Sequence, residues 1–262
     1  MAMREQDLGR LYGPLAVFGG PYSNFQATKA FFEAVAHIPR QNRICTGDMV
    51  AYCADARATA ELVMAETGVI VAGNCEIQLA EGASDCGCGF EEGTACDLAS
   101  GAWFAHASAE MAPHRQALAS LPDRVFFEHE GRRHVVIHGG VSDVSRFIWE
   151  TDSELAFLNE ISLLRRDVDV VISGHCGLPF QKRIGDVLWV NAGVIGMPPH
   201  DGKPSTRYMT ASDGAFTLHE LDYDHDTAAR QMEDAGLTQG YETGLRTGIW
   251  PSEDVLPQAL RR

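Results

Sequence analysis

The chain has 262 residues, of which 45% are apolar and 22% charged, the proportions of an ordinary soluble globular protein. Its formal charge of −15 at pH 7 argues against nucleic acid as the main partner, because phosphate backbones are bound by positive charge. No apolar run approaches the roughly 20 residues that span a bilayer, and the start lacks a signal-peptide core. We therefore expect one domain over residues 1–262, located in the cytoplasm, with no membrane partner and no indication of oligomeric state.

The first part of the chain alternates predicted strands and helices. Apolar runs at 15–18, 43–46 and 68–72 have the length of buried strands. Helical apolar spacing falls between them, at 25–37 and about 56–67. This order favours a parallel sheet with helices packed outside it.

Residues 81–112 interrupt the alternation. The segment is glycine-rich, contains Cys86, Cys88 and Cys96, and returns to helical spacing at 100–111. We expect a lid-like excursion over the carboxyl edge of the sheet, because long loops of compact domains usually have a function. In a reducing cytoplasm, the seven cysteines are expected to be free, metal-bound or redox-active rather than paired in stable disulfides.

The rest of the chain returns to strands, with a hairpin predicted about Glu130-Gly131. The predicted elements are strands at 124–128 and 134–137, a helix at 153–165, and strands at 167–173, 188–190 and 215–218. We expect the last two strands to belong to a second, mixed or antiparallel layer. From Asp224 the sequence is charged and predicted to be helical.

Four apolar runs end beside a glycine and a side chain that can bind a metal. These side chains are Asp48, Asn74, His138 and His175. Residues at the carboxyl ends of strands share one edge of an α/β sheet, so we expect the four to converge. One carboxylate, one amide and two imidazoles suit a borderline divalent ion, and we expect Zn, Mn or Fe. Any one of them alone would more often be a polar cap.

The order and spacing of these motifs resemble the calcineurin-like metallophosphoesterases, especially the small bacterial and archaeal phosphoesterases, from about residue 15 to 208. The resemblance implies a metallophosphoesterase-like α/β fold, a four-layer αββα sandwich of two mixed sheets that binds two metals between the sheets. In that family the ligands come from Asp-x-His, Gly-Asp, Gly-Asn-His, a His before Gly, and Gly-His-x-His.

Carried over residue by residue, the resemblance supplies the ligands of only one ion: Asp48, Asn74, His138 and His175. The Asp-x-His motif falls on Gly20-Pro21-Tyr22, and the last histidine falls on Gly177. The family's catalytic histidine falls on Cys75, which we expect in the place of an acid or a phosphate-contacting group. We therefore expect one metal site rather than two.

Other side chains are candidates to complete the site. Replacement thiolate ligands could come from Cys86, Cys88, Cys96 and Cys176. The alternative for these cysteines is packing, since free cysteine is often a buried hydrophobe. Pocket residues are expected at Gly20, Tyr22, Ser23, Asn24 and Gly177. Ser23 or Asn24 is also a natural N-cap for the helix that follows.

The expected function is hydrolysis of a small phosphorylated substrate, a phosphate ester or anhydride, by metal-activated water. The alternative is a catalytically silent protein that keeps the fold and binds a metal or ligand. A third possibility is a cysteine-dependent redox or metal sensor that uses the thiols of the lid.

Overall fold

The computed structural model describes residues 3–262 and contains two β-sheets with helices packed outside them. The strands are β1 (Glu5–Leu11), β2 (Leu15–Phe18), β3 (Arg43–Cys45), β4 (Val69–Ile70), β5 (Arg124–His129), β6 (Arg132–Val136), β7 (Val170–Ser173), β8 (Pro179–Ile184), β9 (Val187–Ala192), β10 (Thr206–Ser212) and β11 (Ala215–Leu221). The helices are α1 (Phe25–Ala34), α2 (Ala56–Glu66), α3 (Asn74–Glu81), α4 (Ala95–Met111), α5 (Arg115–Ala119), α6 (Glu154–Ser162), α7 (His225–Asp234) and α8 (Tyr241–Thr247). None of the helices in this described part is both long and apolar enough to cross a membrane.

Both sheets mix parallel and antiparallel neighbours. The five-stranded sheet has the order β11-β10-β2-β3-β4, with β2, β3 and β4 parallel as the sequence predicted. The six-stranded sheet has the order β1-β5-β6-β7-β9-β8, with β6, β7 and β9 parallel. The strands that carry the metal-binding motifs are therefore neighbours, two in each sheet.

Alternating side chains on the strands build the layers. On β2, Leu15 and Val17 pack in the core between the two sheets, while Ala16 and Phe18 pack against the outer helices. On β7, Val170 and Ile172 belong to the inner core, and Val171 belongs to the outer core under α6. The period of two is that of strands buried on both faces. The four-layer αββα sandwich of two mixed sheets is confirmed.

The second half of the chain departs from the sequence-based expectation in its strand pairing. The strands at 188–190 and 215–218 were expected in one layer, and this was wrong. Strand β9 lies between β7 and β8 of the six-stranded sheet, whereas β11 pairs with β10 at the edge of the five-stranded sheet. Three strands, β1, β8 and β10, were not predicted. Strand β1 is an exposed edge strand with a register irregularity, so it lacks the apolar alternation that marks a strand.

Helix boundaries also differ from those predicted. Helix α1 ends at Ala34 rather than His37, and α4 begins at Ala95 rather than Ser100. The hydroxyl of Thr94 accepts a hydrogen bond of 3.3 Å from the Asp97 N–H and so caps α4. Helix α3 was not predicted at all, although it begins at one of the candidate metal ligands.

Candidate metal centre

The candidate centre lies where strands of the two sheets end. Strands β3 and β4 lead into Asp48 and Asn74, and β6 and β7 lead into His138 and His175. All four side chains are buried. The parallel direction of β3 with β4 and of β6 with β7 puts these carboxyl ends side by side.

The four side chains meet at Nε2 of His138. This atom lies 3.2 Å from Asp48 Oδ2, 3.1 Å from Asn74 Oδ1 and 3.1 Å from His175 Nδ1. The ligand atoms of Asp48, His138 and His175 all lie within 4.8 Å of one another. The sequence-predicted ligands are therefore brought together, with two oxygen and two nitrogen donors facing a common point.

The donor set fits a borderline divalent cation. Nδ1 of His138 lies 2.6 Å from the backbone oxygen of Thr46, and a ring that donates its Nδ1–H there presents the lone pair of Nε2 to the centre. The amide of Asn74 donates from Nδ2 to the Cys86 backbone oxygen at 2.9 Å, which leaves Oδ1 facing His138. Imidazole nitrogens with carboxylate and amide oxygens are ligands that Zn, Mn and Fe accept.

The electrostatics of the cluster are those of buried groups that share charge. Burial opposes ionisation of Asp48, but the charge of His138 and a hydrogen bond to it hold the pKa of Asp48 below its ordinary value. Burial also opposes protonation of His138, and Asp48 outweighs it, so the pKa of His138 is raised. Burial and the charge of His138 lower the pKa of His175 to about 3. His175 is thus a neutral imidazole at neutral pH, the form that binds metals.

Glycines next to the ligands are required by close packing. A Cβ added to Gly73 would overlap the Asp48 carboxylate, and one added to Gly47 would lie 2.8 Å from His138 Nδ1. Gly47 also has a φ of +93°, which favours glycine. The glycines that marked the strand ends in the sequence therefore let the ligands approach one another.

Backbone strain is concentrated at the same place. Asp48 and His175 have φ values of +56° and +63°, and Tyr22 and Ser23 have values of +51° and +57°. A left-handed conformation costs a non-glycine residue about 1–3 kcal/mol and persists only where the surroundings impose it. Such residues cluster at functional sites.

Glu76 lies in the candidate site but was not predicted from the sequence. It is fully buried, and its carboxylate accepts backbone hydrogen bonds from Asp48 N at 2.7 Å, Met49 N at 2.8 Å and Gly73 N at 2.9 Å. Burial and the charge of Asp48 raise the pKa of Glu76 to about 7. A glutamate three residues after a helix N-cap is the spacing of a capping box, and that signal could have located it.

Aromatic rings lie against the two glycines that stand where the family resemblance expects ligands of a second ion. A Cβ on Gly20 would lie 2.6 Å from Cζ of Tyr22, so the phenol ring covers the position where a side chain would begin. A Cβ on Gly177 would lie 3.3 Å from Cη2 of Trp250. The backbone N–H groups of Gly20 and Tyr22 donate to the carbonyl oxygens of Gly47 and Asp48, both at 3.2 Å, and Gly177 lines a cavity together with His175. Gly20 and Gly177 carry no side chain that could bind a metal.

Ser23 and Asn24 support the backbone rather than line the cavity. The Ser23 hydroxyl accepts a hydrogen bond of 3.1 Å from Ala51 N. The Asn24 side chain accepts one of 3.0 Å from Ala27 N, as the N-cap of α1, and donates one of 3.0 Å to the Gly196 backbone oxygen. Of their two predicted roles, the helix cap is the one that Asn24 fills.

The cysteines near the centre are not arranged as a cluster of free thiols. Cys86 and Cys88 form a disulfide, contrary to the expectation of unpaired cysteines, and so offer no thiolate in this form. Cys75 is buried, with its sulfur 3.6 Å from Asn74 Nδ2, and burial with the charges of Asp48 and Glu76 raises its pKa well above the ordinary value. Asn74 Nδ2 also lies 3.3 Å from the sulfur of Cys88. The disulfide loop thus packs on the side-chain amide of Asn74.

The other two candidate cysteines are buried in the walls of a cavity. Burial raises the pKa of Cys176 to about 12, and its sulfur accepts a hydrogen bond of 3.2 Å from Asn191 Nδ2. Burial also raises the pKa of Cys96. Neither belongs to the group of described residues whose ligand atoms converge.

The cavity has a volume of about 50 Å³ and adjoins His175. Its walls are mainly aromatic, with rings from Tyr22, Tyr52, Phe90, Phe147, Tyr241 and Trp250. Among the lining residues there is no lysine, arginine, aspartate or glutamate. Cys75 does not line it.

Comparison with known proteins agrees with this architecture. The structure is similar to that of a metallophosphoesterase from Sphaerobacter thermophilus, with a TM-score of 0.72 and 21% identity over 91% of this chain and 100% of the other. It is also similar to a hypothetical protein from Pyrococcus horikoshii OT3, with a TM-score of 0.71 and 15% identity over 90% of this chain and 98% of the other. No functionally curated protein matches the sequence with significance.

The family assignment comes from the sequence itself. The model of the calcineurin-like phosphoesterase superfamily domain matches residues 21–214, which include the four strand ends and most of both sheets. The resemblance inferred from the motifs is thereby confirmed. The chain belongs to the calcineurin-like phosphoesterase superfamily.

Proposed function

We propose that this protein hydrolyses a phosphate ester or anhydride with one divalent metal ion held by Asp48, Asn74, His138 and His175. The observation that carries the proposal is the approach of all three other donor atoms to within 3.2 Å of His138 Nε2. Membership of a phosphoesterase superfamily supports the reaction class. The rings of Tyr22 and Trp250 beside Gly20 and Gly177 support one ion rather than two.

When bound, the ion would polarise a phosphoryl oxygen and lower the pKa of a water. The residues of the chain supply position and charge. Asp48 contributes one negative charge, His138 is held by the Thr46 carbonyl, and Asn74 is held by the Cys86 carbonyl. Exclusion of water from this buried cluster strengthens the attraction between the centre and an anionic substrate.

The competing function is a catalytically silent protein that binds a metal or ligand on the same fold. It is favoured by the replacement of the second set of ligands and by Cys75 at the position that the family resemblance assigns to a histidine. Cys75 is buried against Asn74 and outside the cavity lining. We propose that Cys75 lies beside the reacting groups without taking part in proton transfer. The hydrolysis rate of Cys75→Ser tests this, because loss of an acid would lower the rate.

The test combines metal content with activity. The chelated protein is reloaded with Mn, Zn or Fe, the metal-to-protein ratio is measured by elemental analysis, and phosphomonoesters, phosphodiesters and anhydrides are screened. One ion per chain with metal-dependent hydrolysis is the expected result. His138→Ala and Asn74→Ala should lose metal and activity, whereas exposed His37→Ala should keep both. One tightly bound ion without hydrolysis of any substrate would favour the silent protein, and two ions would overturn the single-ion centre.

A further inference from the structure

We propose that the aromatic cavity beside His175 binds the quaternary ammonium group of the substrate, which makes the substrate a phosphate ester of a small alkylammonium alcohol. The phosphate half of this assignment rests on the proposed function. The binding of the cation does not, because it can be measured without any hydrolysis.

The walls of the cavity have the composition that attracts an organic cation. Tyr52 contacts both Tyr22 and Tyr241, with ring centroids 4.8 and 4.5 Å apart. Phe147 lies against His175, with centroids 4.3 Å apart, and stacks on Phe90 at 6.4 Å. Aromatic faces carry partial negative charge and bind alkylammonium groups with about 0.5–2 kcal/mol per favourable contact.

Charge next to the cavity points in the same direction. An adjoining outer cavity shares Phe90, Cys96, Phe147 and Val255 with it and adds Glu91 and Asp254. Neither cavity is lined by a lysine or arginine. A cleft lined by one sign of charge concentrates ligands of the other sign. The outer cavity with Glu91 and Asp254 therefore favours entry of a cation and disfavours a second phosphate group.

Size separates an ammonium group from larger aromatic ligands. At about 50 Å³ the cavity is small, which favours a compact group such as a nitrogen with three methyl groups over a planar ring system. A nucleobase has about twice as many heavy atoms and would not enter without rearrangement of the walls.

Position links the cavity to the candidate metal centre. His175 contributes Nδ1 to the donor cluster, and its ring also forms part of the cavity wall. A phosphate bound at the centre and an ammonium group bound in the cavity would both lie beside His175. The family resemblance places a second metal ion on the side of Gly20 and Gly177. In this protein the rings of Tyr22 and Trp250 lie there instead. We assign this side to a cationic group of the substrate rather than to a second metal ion.

The experiment compares a cation with its neutral carbon isostere on the metal-loaded, full-length protein. Choline and 3,3-dimethylbutan-1-ol are titrated by calorimetry and by NMR of their methyl protons. We expect choline to bind about tenfold more tightly, the size of one good cation–π contact. Equal affinity for choline and 3,3-dimethylbutan-1-ol would show that the cavity does not distinguish a cation from a neutral group, and this would overturn the proposal. The absence of binding by both compounds would also overturn it.

Variants identify the site of binding. Trp250→Leu should weaken choline binding about tenfold, whereas Trp250→Phe should keep most of it, because the ring is retained. Phe147→Leu is a second variant, should Trp250→Leu unfold the protein. The control is Tyr12→Leu, a 74% exposed aromatic that is not among the lining residues. Choline binding that is unchanged in the folded Trp250 and Phe147 variants would place it elsewhere and overturn the proposal.

Hydrolysis then tests the assembled substrate. The rate constant kcat/KM for p-nitrophenyl phosphorylcholine is compared with that for 3,3-dimethylbutyl p-nitrophenyl phosphate. A preference of about tenfold for the cationic ester is expected. Choline binding with no hydrolysis of either ester would contradict the proposed function alone, and equal hydrolysis of both would contradict the ammonium site alone.

Discussion

The carboxylate of Glu76 accepts a hydrogen bond of 2.7 Å from the backbone N–H of Asp48. The same carboxylate also accepts from Met49 N and Gly73 N, so one side chain holds both loops that carry the candidate oxygen ligands Asp48 and Asn74. Because Asp48 has a left-handed φ of +56°, its backbone needs such a constraint. Glu76 is therefore a positioning residue for the candidate centre.

Glu76→Gln is expected to lower both stability and metal affinity. The amide of glutamine keeps one acceptor oxygen and presents a donor to backbone N–H groups, and an unsatisfied buried donor costs about 1–3 kcal/mol. We expect the free energy of unfolding to fall by about 2–3 kcal/mol in urea titrations. Exposed Glu33→Gln is the control, since the Glu33 carboxylate is at the surface, 3.8 Å from Lys29 Nζ. Metal affinity equal to that of the parent in a folded Glu76→Gln protein would remove the positioning role.

Gly20 and Tyr22 should show strong energetic coupling. Gly20→Ala places a Cβ 2.6 Å from Tyr22 Cζ and 2.6 Å from Val194 Cγ1, and overpacking of this kind costs about 1–3 kcal/mol. In the Tyr22→Ala background one of these overlaps is absent, so the substitution should cost at least about 1 kcal/mol less. A double-mutant cycle by urea denaturation measures the difference. Additive effects would show that the ring does not fill the Gly20 side-chain position.

Acid sensitivity is expected from His134 on β6. Burial lowers the pKa of His134 from 6.5 to about 4. Between these pH values the unfolded chain binds a proton that the folded chain does not, so the free energy of unfolding falls as pH falls through the window. Across the whole window, protonation of His134 should lower the free energy of unfolding by about 3 kcal/mol.

The measurement is unfolding by urea at a series of pH values from 4 to 6.5. His134→Gln should reduce the slope of the free energy of unfolding against pH by the amount that about one bound proton contributes. Exposed His37→Gln should leave the slope as it is in the parent. If the free energy of unfolding depends on pH in the same way in the parent and in His134→Gln, the lowered pKa of His134 is contradicted.

The disulfide of Cys86 and Cys88 is expected to contribute little to stability. It closes a loop of only a few residues, and the chain-entropy gain for so short a loop is at most about 2 kcal/mol. We expect the Cys86→Ser, Cys88→Ser double variant to unfold at a slightly lower urea concentration and to bind the same amount of metal. Loss of metal from this variant, but not from Cys96→Ser, would instead support sulfur ligands from the loop.

The metal-binding motifs were the part of the site that the sequence alone predicted. A short apolar run precedes each of the four candidate ligands, and a glycine lies next to each one: Asp48, Asn74, His138 and His175. Because parallel strands run in the same direction, their carboxyl ends lie at one edge of a sheet. The same local signals predicted the strands β2 and β7 and the hairpin of β5 and β6. These features depend on residues close together in the chain, so their pattern is visible without the fold.

Tertiary structure decided the rest, because the deciding contacts join distant parts of the chain. Trp250 covers Gly177, and Tyr241 completes the cavity with Tyr52, although nothing near these residues in sequence indicates a shared site. Strand β10 pairs with β2 across the chain and carries β11 into the five-stranded sheet. The sequence determined which donors could hold a metal. Only the packing of residues far apart in the chain determined that the rings of Tyr22 and Trp250 lie against Gly20 and Gly177 and help to enclose a cavity beside His175.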